Sequence, residues 1–389
     1  MYNPAVALSF YYFVLFLGMG SVIPFFPVWL QSIQFNEHQI SIIAASPAMA
    51  LVVITWFVGN VADRARDWRS TLVIMYYLAA VLMTGLFWTR QFHAVLILWT
   101  VSVALQMALS PVLDAASIRM ARQRNIAFHR IRAFGSIGFI VGALLAGFIF
   151  DALGIEKFLW VLVTLGWLRA ILGHTLPKFR AGIERTKPAA DSSDYQRLRE
   201  PWFVLVLLGS ALIQGSHAYY YTFGSVMWLQ AGFSESLVSM LWALGVMVEI
   251  LVMWMFSSLA RQFSARKLLI VAGLVACVRW AVFGLDPTFP LLVAAQALHG
   301  LTFAILFLAT VNFIANWTST DIAATAQSVS SAMNTAMLSG VTLLSGAVHL
   351  LLGVTGYWLM MMMCVAGVLA ILAGLWWVAP QETRTSAPD

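Results

Sequence analysis

Pro177–Glu200 reads PKFRAGIERTKPAADSSDYQRLRE, a polar run with two prolines, mixed charge and no apolar period. Such a stretch cannot bury a face, and it serves as a linker. Outward from it in both directions the chain turns apolar. Runs long enough to cross a bilayer, about 20 residues each, recur at Ala5–Leu30, Ile40–Val61, Thr71–Trp88, Ala94–Met120, Ile131–Leu153 and Phe158–Leu176 before the linker. After it they recur at Phe203–Leu229, Leu237–Ala260, Leu268–Gly284, Leu291–Ala315, Ala323–Leu352 and Tyr357–Val378. The pattern predicts an all-α membrane protein of twelve transmembrane helices in two pseudo-symmetric six-helix halves. The expected divisions are 1–176, a cytoplasmic linker at 177–200, 201–380, and a cytoplasmic tail at 381–389.

Composition agrees. Of 389 residues, 61% are hydrophobic and 10% charged, against the roughly 25% charge of a soluble domain. The first run has no basic leader and no small-residue cleavage site, so it is expected to remain as a span. Basic residues fall on one side of the expected membrane. Arg64, Arg66 and Arg69, then Arg122, Arg124 and Arg130, then the linker, then Arg261, Arg266 and Lys267 occupy the loops after even-numbered spans. Opposite loops hold little beyond Arg90 and Lys157. By the positive-inside rule both termini are cytoplasmic. The net charge of +6 is therefore an orientation signal, and no nucleic-acid partner is expected. Cys277 and Cys364 lie within spans and suggest neither a disulfide nor a metal site. No cofactor is expected.

Asp114 and Glu249 stand inside runs otherwise built for lipid, and an acid there is costly unless it is paired, faces a cavity or holds a proton. Arg132 is the expected partner of Asp114, and Arg279 that of Glu249. At about 1.5 Å rise per residue, Glu249, Arg279 and His217 come to the middle of their spans, with His299 slightly shallower. Histidine changes charge near neutrality, which suits proton handling. Aromatics gather around these groups, among them Tyr11, Tyr12 and Phe16 in the first span and Tyr219, Tyr220 and Tyr221 beside His217. Some, Tyr220 included, would suit a flat apolar ligand. Gly135, Gly138, Gly142 and Gly147 in the fifth span allow close helix packing.

A weak echo links NVADRARDWRSTLVI (Asn60–Ile74) with SLARQFSARKLLI (Ser258–Ile270), as two parallel repeats would. Gly59 followed by Asp63-Arg64 and further basic residues resembles the loop signature of the major facilitator superfamily, with Arg66 where that family has a second glycine. The first span, SFYYFVLFLGMGSVIPFFPVWL, resembles the lactose permease and nucleoside proton symporter group, and the phenylpropionate permease family more closely still. The likeness extends through Pro111–Ile140, VEILVMW (Val248–Trp254), CVRWAVFG (Cys277–Gly284) and ALHGLTFA (Ala297–Ala304). It implies the major facilitator fold, a bacterial cytoplasmic (inner) membrane and a monomer. It places Asp114, Arg132 and Phe139 at a substrate site of the first half. Glu249, Arg279 and His299 fall in a substrate and proton network of the second. Asp63 and Arg64 are expected to form a cytoplasmic conformational latch. One departure is Thr302, where the sugar permeases carry an acidic proton carrier one turn after the histidine.

These features point to a proton-coupled symporter for a small organic solute. Two cavity arginines and the aromatic surroundings favour an aromatic carboxylate, with sugars and nucleosides as alternatives. A drug:proton antiporter of the same fold is a weaker expectation, because GSIGFIVGALLAGFIF (Gly135–Phe150) lacks the proline of that class. Spans two and three lack carboxylates for a sodium cage. With no HExxH and no GxSxG, an enzyme is not expected.

Overall fold

The computed structural model describes residues 4–65, 67–124, 126–178 and 192–376. Helices dominate, and there is no strand among the described residues. The order is α1 (Pro4–Val22), α2 (Phe26–Ser32), α3 (Glu37–Arg64), α4 (Trp68–Thr84), α5 (Phe92–Gln123), α6 (Phe128–Leu153), α7 (Phe158–Leu172) and a short α8 (Ser192–Arg197). There follow α9 (Pro201–Gly215), α10 (His217–Gln230), α11 (Glu235–Gln262), α12 (Ala265–Gly284), α13 (Phe289–Ala297), α14 (Leu306–Trp317), α15 (Thr320–Leu352) and α16 (Tyr357–Trp376).

Among the described residues, 10 helical stretches are long and apolar enough to cross a membrane. One of these, 322–376, contains both α15 and α16 with a short turn at Gly353–Gly356 between them. The 15-residue α7 is shorter than a full crossing. Several expected spans are broken. The first parts into α1 and α2 at Ile23–Phe25, where Pro24 has no amide proton for a helical bond. The seventh parts into α9 and α10 at Ser216. The tenth is interrupted by a π-helical turn at Leu301–Ile305.

The outer surface is strongly apolar. Trp254 is 82% exposed, Trp376 92% and Val52 79%. No water-facing surface is built so; it belongs against lipid, where each helix satisfies its own backbone.

Two compact units are present, and they do not follow chain order. The first holds the described residues of 1–184, 219–247 and 342–353; the second holds those of 185–218, 248–341 and 354–389. In the first, α1 lies along α6. A Cβ at Gly20 would strike the Phe139 carbonyl, at Gly138 that of Phe13, and at Gly142 that of Leu17. Lipid tails are as apolar as leucine, so helices gain little from hydrophobic burial there and depend on such close packing. Ser21 reinforces the seam by donating to the Gly142 carbonyl at 3.0 Å. Tyr11, Tyr76, Leu105, Leu109 and Ala170 form part of the buried core beside it. The α10 and α11 portions join this unit through Ser236, which donates to the Asp151 carboxylate at 2.5 Å. Gly147 packs against Ser239, and Gly346 against the Glu37 carbonyl. In the second unit α9 and α12 pack on α16, with Gly209 and Gly367 bringing two backbones together.

Gly138→Val is expected to cost at least the 1–3 kcal/mol typical of overpacking, since its new methyls meet a carbonyl that cannot swing away. A drop in melting temperature of the purified protein, larger than that of Gly18→Val, is the check. A Cβ at Gly18 meets nothing within 4 Å.

Candidate functional site

Tyr12 and Phe16 stand one turn apart on α1 and so share a face. Arg132, in the second turn of α6, lays its guanidinium across both rings, 4.1 Å from the Phe16 centroid and 5.5 Å from that of Tyr12. Cation–π attraction holds it there. Gly135 makes the room: a Cβ at that position would come within 2.9 Å of both Arg132 and Phe16. The Tyr12 hydroxyl donates to the Asp114 carboxylate on α5 and lies 3.3 Å from Ser117 Oγ. Ser117 itself donates to the Leu113 carbonyl at 2.7 Å. Asp114 and Arg132 are thus gathered into one half-buried cluster, and the link between them runs through Tyr12. Phe139, one turn beyond Gly135, is half-buried with its carbonyl against Gly20. Tyr220, on α10 of the same unit, is fully buried and stacks on Trp242 at 4.7 Å.

The second unit holds Glu249, Arg279, His217 and His299. Both histidines sit at helix irregularities. His217 opens α10 directly after the break at Ser216, and His299 lies two residues before the π-helical turn. Turns of this kind recur at functional sites because they free backbone groups and redirect side chains. The two imidazoles are 5.7 Å apart between centroids. His217 Nδ1 is 3.2 Å from the Ile213 carbonyl and Nε2 is 3.1 Å from Thr302 Oγ1. Thr302 is in turn 3.1 Å from the His299 carbonyl.

Proton counting defines two arrangements. A carbonyl only accepts, so Nδ1 carries a proton. In neutral His217 the one Thr302 proton goes to Nε2. In the imidazolium, Nε2 donates to Thr302 and the hydroxyl is released to the His299 carbonyl. Thr302 thus keeps its one hydroxyl proton in both arrangements and only reorients it.

Arg279 is fully buried. Its Nε donates to the Ala295 carbonyl at 3.2 Å and its NH2 to Gln296 Oε1 at 3.0 Å, tying α12 to α13. Its guanidinium also lies 4.4 Å from the Trp280 ring. Trp280 anchors the break in the seventh span, donating to Ser216 Oγ at 2.8 Å. Glu249, half-buried on α11, is adjoined by Gly300: a Cβ there would lie 2.6 Å from the Glu249 amide nitrogen. The bare glycine thus lets the His299 segment rest on the α11 backbone at Glu249. Asp63 and Arg64 end α3, but their side chains lie outside the described residues.

Tyr12 and Gln296 were the site members least visible in the sequence. The usable signals were the Tyr12/Phe16 spacing and an amide inside an apolar run.

Thr302→Val should cost about 1–3 kcal/mol, the usual consequence of stripping a partner from buried polar groups. Thr302→Ser should retain stability. Melting temperatures of the two purified variants provide the comparison.

Long apolar helices, glycine-lined packing, and acid, imidazole and guanidinium groups inside the spans define a polytopic membrane transporter of the major facilitator fold. The chain belongs to the MFS_1 like family, whose model matches residues 5–360. It is similar to the "Probable 3-phenylpropionic acid transporter" of Escherichia coli, 28% identical over 357 residues, covering 90% of this chain and 92% of that protein. It is also similar to the maltose permease of Geobacillus stearothermophilus, 22% identical over 278 residues, covering 71% and 70%. The crystal structure of the nucleoside transporter NupG superposes with a TM-score of 0.81 at 17% identity, covering 96% of this chain and 98% of that one. Family and fold are those of transporters rather than enzymes.

Proposed function

We propose that this protein is a proton-coupled symporter that imports a small aromatic carboxylate, a phenylpropionate-like acid, by alternating access. It works as a monomer in the bacterial cytoplasmic membrane with both termini inside. The two six-helix halves, 1–176 and 201–380, move against each other, with Asp63 and Arg64 as a cytoplasmic latch. The observation that carries the reading is Arg132 lying 4.1 Å from the Phe16 ring, with Phe139 one turn beyond Gly135 on the same helix. A cation on an aromatic shelf offers a carboxylate its counter-charge and a phenyl ring its stacking surface. Asp114, held by Tyr12, prevents that cation from attracting anions indiscriminately. Tyr220 joins the substrate-binding residues of the first unit, and Arg279 belongs to the substrate and proton network of the second. Glu249 carries the coupled proton, assisted by His217 and His299. The 28% identity to a 3-phenylpropionic acid transporter supports the same substrate class.

Uptake of radiolabelled 3-phenylpropionate into proteoliposomes under an imposed inward proton gradient tests this. Accumulation that a protonophore collapses is expected. Uptake indifferent to the gradient, or no uptake, overturns the coupling or the substrate respectively. The second reading is a sugar or nucleoside proton symporter, favoured by the similarity to maltose permease over 71% of the chain.

A further inference from the structure

Arg169, on α7, is a cation inside the first unit that the candidate site does not use. It is only 7% exposed, and a guanidinium so deep in an apolar helix needs an anion or a full set of acceptors beside it. Among the described residues only Tyr76 and Tyr11 act on its charge, and neither is a carboxylate. The guanidinium lies 4.8 Å from the Tyr76 ring centroid, and the Tyr76 and Tyr11 rings meet edge-on with centroids 6.1 Å apart. An aromatic face eases the burial of a cation but supplies no counter-charge.

Three polar hydrogens gather here without an acceptor. Arg169 Nε and the hydroxyls of Tyr11 and Tyr76 are buried and have no hydrogen-bond partner among the described residues, although buried polar atoms are nearly always satisfied. The three groups cannot satisfy one another. Nε–H can turn to one hydroxyl and that hydroxyl to the other, yet one O–H and the whole positive charge are left over. A single negative ion accepting from all three answers both deficits. Gly166, one turn before Arg169 on the same face of α7, leaves space for it. A Cβ there would meet nothing nearer than 3.7 Å, with Met83 and Ala80 of α4 as its neighbours. Helical side chains lean toward the N-terminus of their helix, which for Arg169 is the direction of that space.

We infer that Arg169, Tyr11 and Tyr76 form a binding site for a small monovalent inorganic anion of chloride's size. A spherical ion accepts from any direction, so donors from three helices suffice. An organic acid brings a carbon skeleton that a methyl-sized space does not admit. Tyr11 lies about 100° round α1 from Tyr12, so the ion occupies a different face of that helix from the Arg132 cluster. There it ties α1 to α4 and α7 and steadies the helix that carries Tyr12 and Phe16. The inference goes beyond the substrate reading and does not depend on it.

The test is thermal unfolding of the purified full-length protein in nanodiscs, with sodium chloride or sodium bromide exchanged for sodium gluconate at constant ionic strength. The melting temperature should rise with either halide along a saturable curve, because an ion bound only by the folded form stabilises it by mass action. Arg169→Gln should abolish the rise. Tyr11→Phe combined with Tyr76→Phe, which keeps both rings, should weaken halide binding tenfold or more, and it decides the matter if the glutamine variant does not fold. Crystals of the parent grown in bromide should show an anomalous peak at Arg169 Nε. A parent indifferent to halide overturns the inference, as does a rise that the variants retain, or bromide crystals with only a water at Nε. Added 3-phenylpropionate should leave the halide curve in place; competitive displacement would make the anion the substrate's own carboxylate and overturn the assignment. Uptake of 3-phenylpropionate is scored separately, so its failure leaves a positive halide result standing.

Discussion

Glu249→Gln should abolish proton-driven accumulation while leaving substrate exchange in place. A carboxylate within an apolar span costs about 2.5–3.5 kcal/mol on insertion scales, so its retention calls for a job that a neutral residue cannot do. Glutamine imitates the protonated acid in shape and charge but never releases a proton. The carrier should then still cycle with substrate bound, but no proton gradient can drive it. One pH unit is worth about 1.4 kcal/mol per proton, about a tenfold concentration ratio. The variant should forfeit that tenfold for each unit imposed. Uptake under a pH gradient and counterflow at equal pH, measured side by side in proteoliposomes, separate the two capacities. Parent-like accumulation by Glu249→Gln would make Glu249 structural and move the coupling to His217, His299 or Asp114.

The spans were legible because their signal is compositional. A run such as Phe128–Leu153 has little alternative to a membrane helix, and expected and observed helices differ by a few residues at their ends. The breaks were legible only in part. Pro24 announces the division of the first span, whereas nothing at Ser216 or Leu301–Ile305 does. Those interruptions depend on tertiary bonds, such as Trp280 to Ser216, which a local pattern does not contain.

Charge was a partial guide to the site. It made Asp114 and Arg132 direct partners, whereas the two meet through Tyr12, because pairing by sign alone overlooks a neutral donor. Tyr12 satisfies the carboxylate with one hydroxyl and offers the arginine its ring. Polar residues inside the later spans were silent for a different reason. Membrane serines and threonines commonly return their hydroxyl to the preceding turn, as Thr310 does to the Leu306 carbonyl at 2.8 Å and Ser328 to Ala324 at 2.9 Å.

Neutralising either Asp114 or Arg132 should weaken substrate binding by about 2–5 kcal/mol, much of it the cost of leaving a desolvated partner uncompensated. That corresponds to a loss of a few tens to a few thousand-fold in affinity. The Tyr12 bridge sharpens the experiment. Tyr12→Phe keeps the ring beneath Arg132 and removes only the hydroxyl that holds Asp114, so it should cost about 1–3 kcal/mol through the orphaned carboxylate. Asp114→Asn with Arg132→Gln removes both charges and the mutual penalty with them. A pair that contacts substrate predicts a double variant that folds and inserts as the parent does but still fails to bind, since a carboxylate ligand has lost its cation. A pair that only braces α5 and α6 predicts affinity restored close to that of the parent. Affinities for 3-phenylpropionate across the parent, the three single variants and the double decide between them. Restored affinity in the double variant would take Asp114 and Arg132 out of the substrate site and leave them as a brace on α1, with Tyr12 as its pin.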